Sequence, residues 1–322
     1  MILNDYIYGT FEVEQVLQEI IATKEVQRLK GVYQGGASVL VNKKCNVTRY
    51  EHSVGTMLLI RLLNGCIEEQ IAGLIHDISH TAFSHVIDLV LDNKEEDYHE
   101  SIFENVIYNS NIPQILKKYG YDIDIIMDEG RWSILEKKAP KLCADRVDYT
   151  LRDMYKYGKI NNQDIEQFVK SLQVVNGEIV INSIEVAEWF VSIYNFEVGE
   201  YFMNPLNLYA YDKLSQAIKM SLNLGELTKE DFLNEDKDII GVLKSSQSIN
   251  VKSIIEELNE SLNVIESKEN FDIHKTTKLR FINPTIIVDD KCIDASKLSN
   301  NIHEMNIKLK EKLKNGVYIK KI

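Results

Sequence analysis

The chain has 322 residues, enough to bury a large core as one extended domain or two. Its 44% hydrophobic and 27% charged residues are ordinary globular values, and no apolar run approaches the ~20 residues of a membrane span. The formal net charge of -12 argues against strong nucleic-acid binding, while leaving room for a local basic pocket. MILNDYIYGT lacks the charged and apolar regions of a signal peptide, and Cys45, Cys66, Cys143 and Cys292 are scattered without metal spacing. Free thiols in a cytoplasmic protein are the expectation.

In chain order, apolar periodicity predicts helices at about 11–30, 52–64, 67–79, 83–92, 98–109, 112–119, 131–136, 140–157 and 162–169. QVVNGEIVINS (173–183) alternates around Asn176-Gly177, a strong hairpin signal. Helices resume at about 183–202 and 206–223, with dense aromatics that read as core and interface. From 224 charge and Asn rise. KLRFINPTIIVDDKCI (278–293) reads as two strands, followed by a helix at 297–315. The expected fold is mainly α: a helical domain over 1–223 with a small hairpin, then a C-terminal α+β subdomain over 224–322.

Chemistry concentrates early. Five of the seven histidines lie between 52 and 99, and His76-Asp77 is an adjacent pair of metal-type ligands. Ile67, Ile71, Leu74 and Ile75 give IEEQIAGLI a buried stripe that delivers the pair at the helix end. Neighbouring helical residues point about 100° apart, so both reach one ion only from a bend or a terminus. His80 and His85 follow, and His52 opens its own helix. A further carboxylate is expected from CADRVDYTLRD (143–153), a segment that otherwise reads as a salt-bridged surface helix.

His52, His76-Asp77 and Asp145 together resemble the H…HD…D signature of the HD-domain metal-dependent phosphohydrolases. RYEHSVG, GLIHDISHTAFSHVID, YHE (98–100) and DRVDYTLRD are closer still to the subfamily of the SAM-and-HD-domain deoxynucleoside triphosphate triphosphohydrolase and its bacterial relatives. The resemblance covers roughly 5–155, with a motif core at 45–155, and is patchy beyond. It implies that His52, His76, Asp77 and Asp145 hold one divalent transition metal (Fe, Mn, Zn or Ni), with Mg able to accompany the substrate phosphates. It implies His99 as general acid, oriented by Asp88. Arg49, His80, His85 and Arg146 would contact phosphate, and Gln34, Tyr149 and Asp153 the sugar. The partner is then a nucleotide substrate, with a homo-oligomer expected and no membrane.

The expected activity is hydrolysis of deoxynucleoside triphosphates to deoxynucleoside and triphosphate. The alternatives are a nucleoside monophosphate phosphatase or phosphodiesterase, and a non-catalytic nucleotide-binding regulator. One departure separates this chain from the pattern. The stretch YFMNPLNLYAY (201–211), where relatives place a His and basic residues on the distal phosphates, has no Lys, Arg or His. Lys213, a second ion or a neighbouring subunit would have to supply that charge.

Overall fold

The computed structural model describes residues 1–322. The fold is mainly α, as expected, and its centre is three packed helices: Arg49–Leu62, Ile67–Ile75 and Ala144–Tyr157. Helix Arg49–Leu62 starts at a capping box. The Thr48 hydroxyl accepts from the Glu51 backbone N–H, and the Glu51 carboxylate accepts from the Thr48 N–H at 2.8 Å. Gly55 lets helix Ala144–Tyr157 approach, because a Cβ there would collide with the Arg152 guanidinium and the Asp148 carboxylate. Helix Ala144–Tyr157 ends at Gly158, whose φ of 82° forms a left-handed cap.

Several predicted elements change. The first twelve residues hold a hairpin, Ile2–Asp5 against Gly9–Glu12, too short and too exposed to announce itself by periodicity. The expected helix 11–30 is two helices, Gln15–Ile21 and Lys24–Arg28, divided at Thr23, whose hydroxyl donates to the Ile20 carbonyl at 2.7 Å. No helix forms at 131–136; a single 3-10 turn, Glu129–Arg131, precedes a loop that leads to Ala144. Buried Glu69 anchors that loop by accepting from the backbone of Ile134 and Leu135 at 2.6 and 3.1 Å. The predicted 183–202 helix is helical from Ile184 to Phe196 and continues as a π-helix, Glu197–Phe202.

Asn176-Gly177 does turn a hairpin, Leu172–Val175 to Glu178–Ile181, with both turn residues at positive φ. Its second strand pairs in parallel with Thr285–Val288, which pairs with Lys291–Asp294, making one four-stranded sheet. The two C-terminal strands lie somewhat later than the expected 278–293. A three-stranded sheet of Val264–Glu266, Val317–Lys321 and Ile273–Lys275 completes the β structure. The larger apolar core joins Leu58, Ile71 and Val147 to Ile282, Ile286 and Ile302, and the smaller joins Phe83 and Ile87 to Phe232 and Leu243. Residues 224–322 thus contribute to both cores. No helix is long and apolar enough to cross a membrane.

Candidate active site

Helix Ile67–Ile75 stops just before His76, and tight turns follow, with the His80 N–H donating to the Asp77 carbonyl at 3.0 Å. That bend is what allows two adjacent residues to face one point. His76 Nε2 comes within 3.2 Å of His52 Nε2, and Asp145 Oδ1 lies 3.0 Å from His52 Nε2 and 3.6 Å from His76 Nε2. Asp77 completes the group, its two oxygens 3.6 Å from His76 Nε2 and 3.7 Å from His52 Nε2.

The donor chemistry fits a divalent ion. Each imidazole offers Nε2 because its other nitrogen is engaged. His52 Nδ1 meets Asp148 Oδ2 at 2.8 Å, and His76 Nδ1 meets the Gly73 carbonyl at 2.8 Å. Two imidazole nitrogens facing each other beside two carboxylates suit a cation between them. Electrostatics agree. Burial alone would lower the His52 ring, yet the hydrogen bonds of Asp145 and Asp148 push it up to about 10. Burial would raise Asp77, but Arg49 and the neighbouring histidines hold its carboxyl well below the usual range. The site therefore demands positive charge. His52, His76, Asp77 and Asp145 would hold the ion.

Behind the group runs a buried chain of charges that sequence reasoning missed. Arg152, fully buried, clamps Asp148 through Nε and Nη2 at 3.0 and 2.9 Å and reaches Asp5 at 2.9 Å. Asp5 belongs to the N-terminal hairpin. The signal available in the sequence was the 145/148/152 spacing, which puts all three side chains on one helix face.

A wall of three histidines stands beside the quartet. His80 stacks on His99 with ring centres 3.9 Å apart, and His85 meets both edge-on. His80 Nε2 lies 3.2 Å from Asp77 Oδ1, and Arg49 Nη1 binds Asp77 Oδ2 at 2.7 Å. The expected Asp88–His99 pairing is not formed. Asp88 Oδ2 faces His85 Nδ1 at 3.0 Å, and Oδ1 accepts from the Tyr98 N–H at 3.1 Å, so Asp88 braces the start of the helix that carries His99. His99 Nδ1 is buried without a partner, and burial together with His85 lowers the ring to about 4. The neutral form is therefore the resting state at pH 7.

One cavity of about 570 Å³ is lined by His76, Asp77, Asp145, Arg49 and the three wall histidines, with His52 buried behind them. Gln34, Tyr149 and Asp153, the residues expected to meet a sugar, line it. Asp153 does not pair with Arg152 or Arg146; its Oδ2 accepts from Gln34 Nε2 at 2.9 Å, and burial raises its carboxyl to about 6. Arg146 departs from expectation. Its Nη1 donates to the carbonyls of Lys137 and Lys141 at 3.2 and 2.8 Å, and the side chain does not line the cavity. Those carbonyls hold it because the irregular 132–143 loop leaves them without helical partners. From 201–211, Tyr201, Asn207 and Tyr211 line the cavity, whereas Lys213 does not. Lys275, Lys278 and Arg280, which sequence reasoning did not single out, do.

Residues 49–153 match the family model described as the HD domain. A Bacillus subtilis protein, the uncharacterized YdhJ, is 50% identical over 99% of both chains. The chain belongs to the HD-domain family. Among curated relatives, the metal-dependent phosphohydrolase cns2 of Cordyceps militaris is 40% identical over 175 residues, 54% of this chain and 50% of that one. Human SAMHD1, a deoxynucleoside triphosphate triphosphohydrolase, is 29% identical over 224 residues, 54% of this chain and 36% of its own. The matches thus span half or less of those two relatives. A solved phosphohydrolase from Bacteroides thetaiotaomicron shares the fold over 99% of both chains at a TM-score of 0.78 and 18% identity. This HD-domain protein is a member of the metal-dependent phosphohydrolases.

Proposed function

We propose that this HD-domain protein hydrolyses 2′-deoxynucleotides at the phosphoester next to the sugar, releasing deoxynucleoside and triphosphate from a deoxynucleoside triphosphate. One observation carries the reading. The cavity lined by His76, Asp77 and Asp145 of the quartet is also lined by Gln34, Asp153 and Asn207, each of which carries a buried side-chain oxygen with no hydrogen-bond partner: Gln34 Oε1, Asp153 Oδ1 and Asn207 Oδ1. Each such atom costs roughly 1–3 kcal/mol unless a ligand satisfies it. As acceptors, they suit the hydroxyl donors of a sugar. The likeness to SAMHD1 across the catalytic half supports the same substrate class.

A divalent ion held by His52, His76, Asp77 and Asp145 would lower the pKa of water and polarise a phosphoryl oxygen. The chain's own groups do the rest. Arg49 exchanges Asp77 for a non-bridging phosphate oxygen, and His80 and His85 donate to the same phosphate. His99, protonated from solvent in the substrate complex, gives its proton to the leaving sugar oxygen as the bond from phosphorus to that oxygen breaks and a hydroxide derived from water bonds to phosphorus. Phosphate anions around the ring supply the counter-charge that raises His99 from its low resting value.

A second reading, hydrolysis of a nucleoside monophosphate or another phosphoester, is favoured by the withdrawal of Arg146 onto backbone carbonyls. A panel of deoxy- and ribonucleotides with product analysis tests the proposal. The deoxynucleotides should be turned over at least about tenfold faster, because a buried polar pocket penalises a hydroxyl it cannot satisfy. Equal rates would remove the sugar assignment of Gln34, Tyr149 and Asp153.

A further inference from the structure

Four cationic Lys or Arg side chains line the cavity, and three of them come from one stretch far from the family motifs. Arg49 lies deep, buried against Asp77. Lys275, Lys278 and Arg280 belong to the run Lys275-Thr276-Thr277-Lys278-Leu279-Arg280, in which every residue except Leu279 lines the cavity. Cations spaced with hydroxyl donors are the chemistry that binds phosphate oxygens. The helix that would be expected to hold the outer phosphates offers Asn207 and Tyr211 to the cavity but no cation.

In this structure two of the three cations are engaged by carboxylates and the third by a backbone carbonyl beside one. Lys275 Nζ lies 2.8 Å from Asp212, Arg280 Nη2 lies 2.7 Å from Glu96, and Lys278 Nζ is bonded to the Glu95 carbonyl with that residue's carboxylate 3.9 Å away. All three side chains keep substantial exposure, 29%, 33% and 42%. Ion pairs this exposed are worth little and exchange readily. Residues 276–284 form neither helix nor strand, so Lys278 and Arg280 can turn inward without breaking a ladder. A polyphosphate presents several anionic oxygens at once, and Arg280 can hold two of them in its fork.

We propose that Lys278 and Arg280, supported by Lys275, form the binding site for the outer phosphates of a nucleoside triphosphate, exchanging Glu95 and Glu96 for phosphate when substrate enters. The assignment rests on the nucleotide reading above and selects the triphosphate within it. It also gives the two glutamates a role as placeholders that hold the cations in register while no anion is bound.

The test separates a phosphate site from a mere clasp between two loops. Removing the cations (Lys278→Ala with Arg280→Ala) and neutralising their partners (Glu95→Gln with Glu96→Gln) break the same ion pairs. A clasp predicts the same effect from both. A phosphate site predicts opposite effects. Calorimetric binding of inorganic tripolyphosphate to the metal-loaded protein should weaken at least about tenfold in the cation variant, on the scale of lost charged hydrogen bonds, and tighten in the glutamine variant. The ratio of kcat/KM for deoxynucleoside triphosphate over monophosphate should move the same way. Unchanged tripolyphosphate affinity in the cation variant, or equal losses in both variants, overturns the proposal. If the wild type turns over no deoxynucleotide, the triphosphohydrolase reading fails, while the tripolyphosphate arm still decides this one.

Discussion

His52 faces Asp145 through one ring nitrogen and Asp148 through the other, so its Nε2, the nitrogen proposed to meet the ion, is already held toward the quartet. Asp77 has no such spare. It is buried between Arg49, His80 and the two ligand histidines, and its removal leaves three ligands of four. Asp77→Ala should lose its metal, by elemental analysis, and with it turnover; full occupancy in the variant would remove the quartet assignment. His99 should part from the ligands. His99→Ala should keep its metal and lose about 10²–10⁴-fold in kcat, the usual share of a general acid. The pH dependence has a definite sign. The free ring, lowered to about 4, is already neutral at pH 7. An acid works only when protonated, so kcat should fall as pH rises through the raised value in the substrate complex, and His99→Ala should lack that limb. Nuclear magnetic resonance titration of His99 with and without bound phosphate reads the shift directly.

The element that carries His80 and His85 is held in place by a distant part of the chain. Phe83 and Ser84 adopt positive φ, of 58° and 50°, a conformation that costs non-glycine residues of order 1–3 kcal/mol each. Asp236, at the start of helix Asp236–Ser245, accepts from the Phe83 N–H at 2.7 Å and the Tyr33 N–H at 3.0 Å. Arg28 closes the other side, donating to the carbonyls of Ile78 and His80 at 3.0 and 2.7 Å. Asp236→Ala should therefore destabilise the protein by about 2–4 kcal/mol, from two orphaned buried donors. Burial raises the Asp236 carboxyl to about 7, against roughly 3.9 in the unfolded chain. The folded state keeps this proton where the unfolded state has released it, so the group's contribution declines as pH rises from about 4 to 7. The penalty of Asp236→Ala, followed by chemical denaturation, should be larger at pH 5 than at pH 8. None of this bracing was legible beforehand, because a carboxylate that caps a loop 153 residues away leaves no local pattern. The quartet was legible because ligand chemistry needs particular residue types at particular spacings, and His76-Asp77 meets that need within one helix end. The N-terminal hairpin escaped notice because four-residue strands depend on partners more than on periodicity.

Across the whole molecule, residues beyond 223 build part of the cavity as well as both cores. Ile282, Ile286 and Ile302 sit in the larger core, Phe232 and Leu243 in the smaller, and the 275–280 run lines the cavity. A fragment ending at 223 would expose those faces and lose the Asp236 brace. It should lack a cooperative thermal transition, and a well-folded fragment would show that the C-terminal third is dispensable to the core. The main architecture was readable from helical periodicity, whereas this interleaving was not, since pairing between Glu178–Ile181 and Thr285–Val288 spans a hundred residues of intervening chain. The quartet, the histidine wall and the cavity residues with unpaired buried oxygens lie together, and the proposal that the protein cuts a nucleotide beside its sugar rests on that assembly. Phosphorus nuclear magnetic resonance of the metal-loaded wild type with a deoxynucleoside triphosphate tests that most directly. The account predicts intact tripolyphosphate and free deoxynucleoside as the first products; release of orthophosphate or pyrophosphate, with a phosphate left on the nucleoside, would contradict it.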